Sequence, residues 1–134
     1  MDDIFVGRLM TADPITVRPD TLVEDAADLM LDEAIGSLIV TDEDNHLVGI
    51  LTSTDFVEIV RESKPKAETT VERYMSTDVT TATAQDSIEA VADLMLGESI
   101  HHVPVVDETE GVIGIISTTD LTAYVSTIQT PSPA

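Results

Sequence analysis

The chain has no cysteine and no tryptophan, and aromatic residues make up only 3% of its 134 positions. Without cysteine, disulfides, thiolate metal sites and thiol nucleophiles are excluded. Positive charge is equally scarce: six Lys and Arg stand against 26 Asp and Glu, a formal charge of −20. That balance argues against DNA or RNA as a partner, because nucleic-acid binding needs a basic surface to displace counterions. No hydrophobic run approaches the ~20 apolar residues of a membrane span. The N-terminus, Met1-Asp2-Asp3-Ile4, is acidic where a secretory leader carries basic residues. Together these absences predict a soluble, cytoplasmic protein with no membrane partner.

What is present is hydrophobicity in regular order. The apolar fraction is 43%, so this is not the low-hydrophobicity composition of a disordered acidic chain. A folded surface this acidic repels itself, and salt screens that repulsion. The composition therefore points to a salt-adapted, halophilic protein.

The chain repeats. Residues 6–56 align without a gap on residues 71–121 at an offset of 65, and about 20 of the 51 pairs are identical. Arg8-Leu9-Met10 matches Arg73-Tyr74-Met75, and Ala27-Asp28-Leu29-Met30-Leu31 matches Ala92-Asp93-Leu94-Met95-Leu96. Gly49-Ile50-Leu51-Thr52-Ser53-Thr54-Asp55 matches Gly114-Ile115-Ile116-Ser117-Thr118-Thr119-Asp120. Two copies are too few for a solenoid, so a closed pseudo-twofold pair is expected. The reading divides the chain into a first domain at 1–60, a polar, Pro-containing linker at 61–70, a second domain at 71–128 and a frayed tail at 129–134.

Each copy reads as β-α-β-β-α after a short turn of helix near Val6 to Met10. An extended stretch at 14–17 leads to a helix with Val23, Ala26, Ala27 and Met30 on one face. Ile88, Val91, Ala92 and Met95 form the same face in the second copy. Thr21 with Glu24, and Asp86 with Glu89, have the spacing of capping boxes. Strands at 37–41 and 47–51 flank an acidic turn, with copies at 103–106 and 112–116, and a second helix opens near Thr54-Asp55 and Thr119-Asp120. Met10, Met30, Met75 and Met95 occupy equivalent apolar positions and read as core.

No Gly-x-Ser-x-Gly, Walker A or zinc-protease motif occurs, and the acids read mostly as solvated surface. Two strand-to-helix junctions stand out, Thr52-x-x-Asp55 and Ser117-x-x-Asp120. Each fits a helix cap. The cap is the first reading of so short a spacing, but the same geometry also fits a ligand site, where a hydroxyl donates to phosphate and a carboxylate accepts from both hydroxyls of a ribose near a helix N-terminus. His101 and His102 precede the strand at 103–106. Adjacent strand side chains point to opposite faces, so they make a poor metal pair, but imidazole can donate to a phosphate. His46 lies in the acidic turn and reads as exposed.

Val-x-Arg-x-Met, then Ala-x-x-Leu-Met, Ile-His-His-Val-Pro-Val-Val-Asp and Gly-Ile-Ile-Ser-x-x-Asp, in that order, resemble the cystathionine β-synthase (CBS) domain. Two copies in tandem resemble the Bateman module, over nearly all of residues 6–121. The resemblance implies an α/β fold of two tandem βαββα repeats packed face to face with pseudo-twofold symmetry. It implies a non-catalytic regulatory sensor that binds AMP, ADP, ATP or S-adenosylmethionine in two clefts between the repeats, with no cofactor required. Carried over by position, Asp55 and Asp120 hold ribose hydroxyls, and Thr52 and Ser117 contact phosphate or the ribose. One cleft joins Asp120, Ser117, Ile115 and His101 to Ile15 and Ile35. The other joins Asp55, Thr52 and Ile50 to Thr80 and Ile100. His101 and His102 lie near the phosphates of the first cleft, where the other has Gly36 and Ser37, so a phosphorylated ligand should favour the Asp120 site. The scarcity of Lys and Arg, with the −20 charge, favours AMP or cationic S-adenosylmethionine over ATP. Repeat one has Ile39 where repeat two has Pro104. The resemblance also implies a disc-like homodimer and an effector protein. The alternative is a ligand-free structural or dimerisation module in which Thr-x-x-Asp only caps.

The charge reading predicts that moving from dilute buffer to molar KCl raises the melting temperature. About 1 kcal/mol of relieved repulsion corresponds to roughly 3–5 °C for a chain of this size. A melting temperature that is flat or falls with salt contradicts it.

Overall fold

The run Ser37–Thr41 is buried at every position, and its place in the sheet explains why. In the computed structural model, which describes residues 4–62 and 69–128, this strand is the middle of a three-stranded sheet. A central strand covered on both faces needs a continuous apolar run rather than alternation. The first copy comprises α1 (Val6–Leu9), β1 (Thr11–Ala12), β2 (Thr16–Val17), α2 (Val23–Glu33), β3 (Ser37–Thr41), β4 (Leu47–Thr52) and α3 (Ser53–Arg61). The second comprises a single 3-10 turn at Val71–Arg73, then α4 (Ile88–Glu98), β5 (His102–Asp107), β6 (Gly111–Ser117) and α5 (Thr118–Ile128). Positions 63–68 of the predicted linker and the tail at 129–134 lie outside the described residues.

The expected βαββα order is met in the first copy. In the second, the strand before α4 shrinks to one parallel bridge, Ala82 to Val105. Strands β5 and β6 each run one residue further at both ends than the sequence suggested. Two of the expected caps are not formed. The Thr21 hydroxyl accepts from the N–H of Arg18 at 3.0 Å, closing the turn before the helix, and α2 starts after Leu22 with no side-chain cap. Asp86 likewise accepts from Thr83 N–H at 2.9 Å. Ser87, one residue later, caps α4 by accepting from Ala90 N–H at 3.1 Å. Asp and Thr serve a three-residue turn and a cap with the same side-chain geometry, and here the turn took both.

The described chain divides into two compact units that do not follow the two copies. One, here the Asp120 unit, contains the segment up to Pro14 together with Thr80–Thr109 and the chain from Ile113 onward. Its sheet has the order β1-β6-β5, with Thr11 opposite Ile115 and Ala12 opposite Gly114. The other, the Asp55 unit, contains Ile15–Val79 and Glu110–Val112. There β2 runs parallel to β3 and β4 antiparallel to it. Ser76 exchanges both backbone hydrogen bonds with Ile50 at 2.9 Å each. The leading segment of each copy is thus a building block of the unit that holds the other copy's hairpin.

The cores show the same exchange. In the Asp120 unit Val6 is buried with Ala82, Val91, Met95, Val103, Val105 and Ile116. In the Asp55 unit Val71 is buried with Val17, Ala26, Met30, Leu38, Val40 and Leu51. Val6 and Val71 are repeat equivalents, both fully buried, and burying each contributes about 1.5–3 kcal/mol. Met30 and Met95 are core as expected. Met10 and Met75 are only half-buried: each lies across a glycine of the facing strand. A Cβ on Gly114 would sit 2.6 Å from Met10 Sδ and 2.9 Å from Thr11 O, and one on Gly49 2.8 Å from Met75 Sδ and 2.7 Å from Ser76 O. The strand pairing brings backbone oxygen as well as sulfur to these positions, so the thioether cannot simply swing aside.

Gly114→Ala and Gly49→Ala should therefore each destabilise by about 1–3 kcal/mol in urea unfolding, the usual cost of overpacking. Gly97, in α4, is the contrast, because a Cβ added there would meet no atom within 4 Å. Gly97→Ala should stabilise by about 0.5–1 kcal/mol. Equal effects at Gly97 and Gly114 would contradict the close approach.

Candidate functional site

The two junctions singled out by sequence adopt nearly the same geometry. In the Asp120 unit, β6 ends at Ser117 and α5 begins at Thr118. The Ser117 N–H donates to Asp120 Oδ2 at 2.9 Å and its hydroxyl to the same oxygen at 3.1 Å. The Asp120 N–H donates back to Ser117 Oγ at 3.3 Å. In the Asp55 unit, Thr52 and Asp55 form a capping box at the start of α3. The Thr52 N–H donates to Asp55 Oδ2 at 2.7 Å and its hydroxyl to that oxygen at 3.4 Å. Both carboxylates are half-buried. In both boxes these bonds run to one oxygen, Oδ2, so forming the cap does not by itself engage Oδ1.

A second contact fixes each junction from the preceding strand. The Thr118 N–H donates to the carbonyl of His101 at 3.0 Å, and the Ser53 N–H to that of Gly36 at 3.2 Å. Residues 101 and 36 are thereby held at the helix starts, and the two units differ in the side chain carried there. His101, just before β5, is exposed, and His102, the first residue of β5, is half-buried. Burial, chiefly, pushes the His102 imidazole below the ordinary histidine range; the charge of His101 pushes the same way, and Asp120 opposes both.

The remaining candidates divide between the units. Ile100 and Ile115 belong to the Asp120 unit, half-buried, with Ile115 on β6 opposite Thr11. Thr80 is in the same unit, where its hydroxyl donates to Glu98 at 2.6 Å, an engagement the sequence did not reveal. Ile50 is buried on β4 in the Asp55 unit. Ile15 and Ile35 pack against that unit's core. Thus Ser117, Asp120, His101, His102, Ile100, Ile115 and Thr80 share one unit, and Thr52, Asp55, Ile50, Ile15 and Ile35 the other.

Two features escaped the sequence reading. A groove of about 440 Å³ lies between α4 and α5, lined largely by apolar residues including Ala92, Leu96 and Leu121, with His101 and Thr118 at one end. Its signal was Leu96, an apolar residue just off the core face, which proves 81% exposed. In the acidic turn, Asp42, Asp44 and His46 bring one potential ligand atom each within 4.8 Å of the others. The turn itself uses Asp42: Oδ1 accepts the N–H of Asp44 and of His46 at 2.9 Å. Those bonds, the His46 N–H foremost, hold the Asp42 carboxyl below its usual range. His46 is exposed as expected.

A duplicated βαββα pattern, two three-stranded sheets and a hydroxyl–carboxylate junction at the end of each hairpin define a class: paired-repeat α/β domains. The CBS domain model matches residues 6–62 and again 71–127, and the chain belongs to that family. An uncharacterised 17.7 kDa protein of Acidianus ambivalens is 32% identical over 132 residues, covering 96% of this chain and 79% of the relative. Homoserine O-acetyltransferase of Methanosalsum zhilinae is 35% identical over 121 residues, 90% of this chain but 24% of that enzyme, so the chain spans about a quarter of its length. Among solved structures, the CBS domain pair of protein MJ0100, in complex with 5′-methylthioadenosine and S-adenosylmethionine, has a TM-score of 0.87 at 28% identity. That match covers 96% of this chain and all of that one. CBSX2 in complex with AMP has a TM-score of 0.85 at 26% identity, covering 95% of this chain and 99% of that one. No described helix is long and apolar enough to cross a membrane.

Ser117→Ala removes an N-cap hydroxyl that both donates and accepts. It should cost about 1 kcal/mol of stability, read as a lower urea midpoint at unchanged slope. No change in the midpoint would show that the box contributes nothing to the cap.

Proposed function

We propose that this chain is a non-catalytic regulatory module that binds an adenosyl ligand at each of its two strand–helix junctions. The observation that carries the reading is the pair of half-buried carboxylates, each fixed through one oxygen by its own strand's last N–H. A carboxylate held this way presents its other oxygen in a set direction, as acceptance from ribose hydroxyls demands. The ligands bound by the MJ0100 pair and by CBSX2 support the adenosyl class. Thr52 and Ser117 supply hydroxyls toward the ribose or phosphate. Ile115 would serve the Asp120 site and Ile50 the Asp55 site. His101 and His102 give the Asp120 site the stronger claim on a phosphorylated ligand. The shortage of cations favours AMP or S-adenosylmethionine over ATP.

The module would act in the cytoplasm, with an effector protein reading the liganded state. A second copy of the chain is the proposed partner of the helix faces: Leu96 and Val125 lie exposed on α4 and α5, and Leu31, Val57 and Val60 are exposed on α2 and α3. These same apolar faces favour the second reading, a ligand-free dimerisation module whose Thr-x-x-Asp boxes only cap.

Calorimetric titration with AMP, ATP and S-adenosylmethionine in molar KCl separates the two. The sensor reading expects saturable binding and a raised melting point. At a hundredfold excess over Kd the gain is about 2.7 kcal/mol. Asp120→Asn, which keeps the side-chain shape and loses the charge, should weaken AMP at least tenfold. Heat and melting point indifferent to all three ligands would favour the dimerisation module.

A further inference from the structure

The two units are alike in their capping boxes and unlike in what stands beside them. His101 and His102 occupy the places that Gly36 and Ser37 hold in the first copy. Ser37 lies directly opposite Thr52 in the β3–β4 ladder. Strands β5 and β6 are likewise neighbours in their sheet, and the bond from Thr118 N–H to the His101 carbonyl, the counterpart of Ser53 to Gly36, implies the same register, with His102 across from Ser117. His101 is tied by its carbonyl to the first residue of α5. An imidazole, a hydroxyl, a carboxylate and a helix start therefore converge in the Asp120 unit, and in the Asp55 unit no titratable group replaces the imidazoles.

We propose that His102 makes the Asp120 site a proton-gated anion subsite, which holds a ligand's phosphate more tightly as pH falls, while the Asp55 site, with Ser37 in its place, has no such gate. The inference rests on the ligand reading above and adds a regulator to it. The groups acting on His102 are its neighbour His101 and, from α5, Asp120. Strand β6 carries no titratable side chain, and Glu89, Asp93 and Glu98 of α4 are not among the groups that act on it. Burial keeps the free His102 imidazole neutral at pH 7, when it can donate only one hydrogen bond. A phosphate beside it favours the imidazolium, and by linkage the imidazolium favours the phosphate. The sign follows: affinity for an anion rises as pH drops through the histidine range, tenfold for each pKa unit by which the anion raises the imidazole. Histidine is the side chain that gives such a response near neutrality, where Arg or Lys would be charged throughout.

The test is calorimetric titration of the full chain carrying Asp55→Asn, to leave one site, with AMP and with adenosine at pH 8 and pH 5.5 in molar KCl. The same titrations are run with His102→Ser, the residue of the first copy, and with His102→Gln, which retains volume should serine leave a void. AMP loses part of its own charge below its second pKa near 6. That loss is common to parent and variants, so the readout is the ratio of their AMP affinities. The proposal expects this ratio to grow about fivefold or more from pH 8 to pH 5.5, with no such growth for adenosine. A ratio constant with pH, or equal growth for adenosine, overturns the subsite and leaves the ligand reading standing. If neither compound binds at either pH, the ligand reading falls and the subsite with it.

Discussion

A carboxylate folded back onto the last N–H of its own strand is the interaction on which both junctions depend. At Asp55 and at Asp120 that bond does two things together. It satisfies a backbone donor where the strand ladder has ended and the helix has yet to begin, and it removes the rotational freedom of a side chain that would otherwise sweep the surface. The carboxylate's other oxygen would then be the one to meet a ligand. Positional certainty is what a binding group needs, since a side chain ordered before the ligand arrives loses no further entropy when it does. Among the described acids, these two stand out by their place at a strand–helix junction beside a hydroxyl that donates to the same oxygen, and not by charge.

The junctions in turn depend on the strands that deliver them. Strand β6 is paired with β1, and β4 with Ser76, segments that belong by sequence to the opposite copy. Gly114 and Gly49 admit Met10 and Met75 at these crossings, and Val6 and Val71 lock the leading segments into the two cores. Neither copy is a complete folding unit by itself. This gives a physical reason for the duplication: a single repeat would leave one edge of its hairpin and one cavity of its core unfilled.

Much of this was legible in the residues. The fixed offset of 65, the helix faces and the hairpins follow from periodicity, and the Ser/Thr-x-x-Asp junctions were visible because a cap and its partner are local. The exchange of leading segments was not legible. Thr11–Ala12 is a two-residue strand, too short for any alternation, and a pairing across a hundred residues leaves no mark on local sequence. The misplaced caps have a different cause. Thr21 and Asp86 satisfy the pattern of a capping box, but a turn one step upstream offers the same side chain a nearer N–H, and spacing alone cannot rank the two. The engagement of Thr80 by Glu98 was hidden for the reason that exchange was: it depends on how α4 lies, not on what surrounds Thr80 in the chain.

Set against a net charge of −20, a ligand bearing several negative charges would meet a repulsive approach, and under the proposed reading a protonated His102 would be the local relief. The ribose therefore matters most, as the part of the ligand that the carboxylates would hold whatever the tail carries. The most direct measurement compares adenosine with 2′-deoxyadenosine and 3′-deoxyadenosine by equilibrium titration in high salt. Removing either hydroxyl should cost about 1.4 kcal/mol or more, a tenfold loss, as expected for a hydrogen bond to a charged group. Equal affinity for all three nucleosides would mean that Asp55 and Asp120 are helix caps and nothing else.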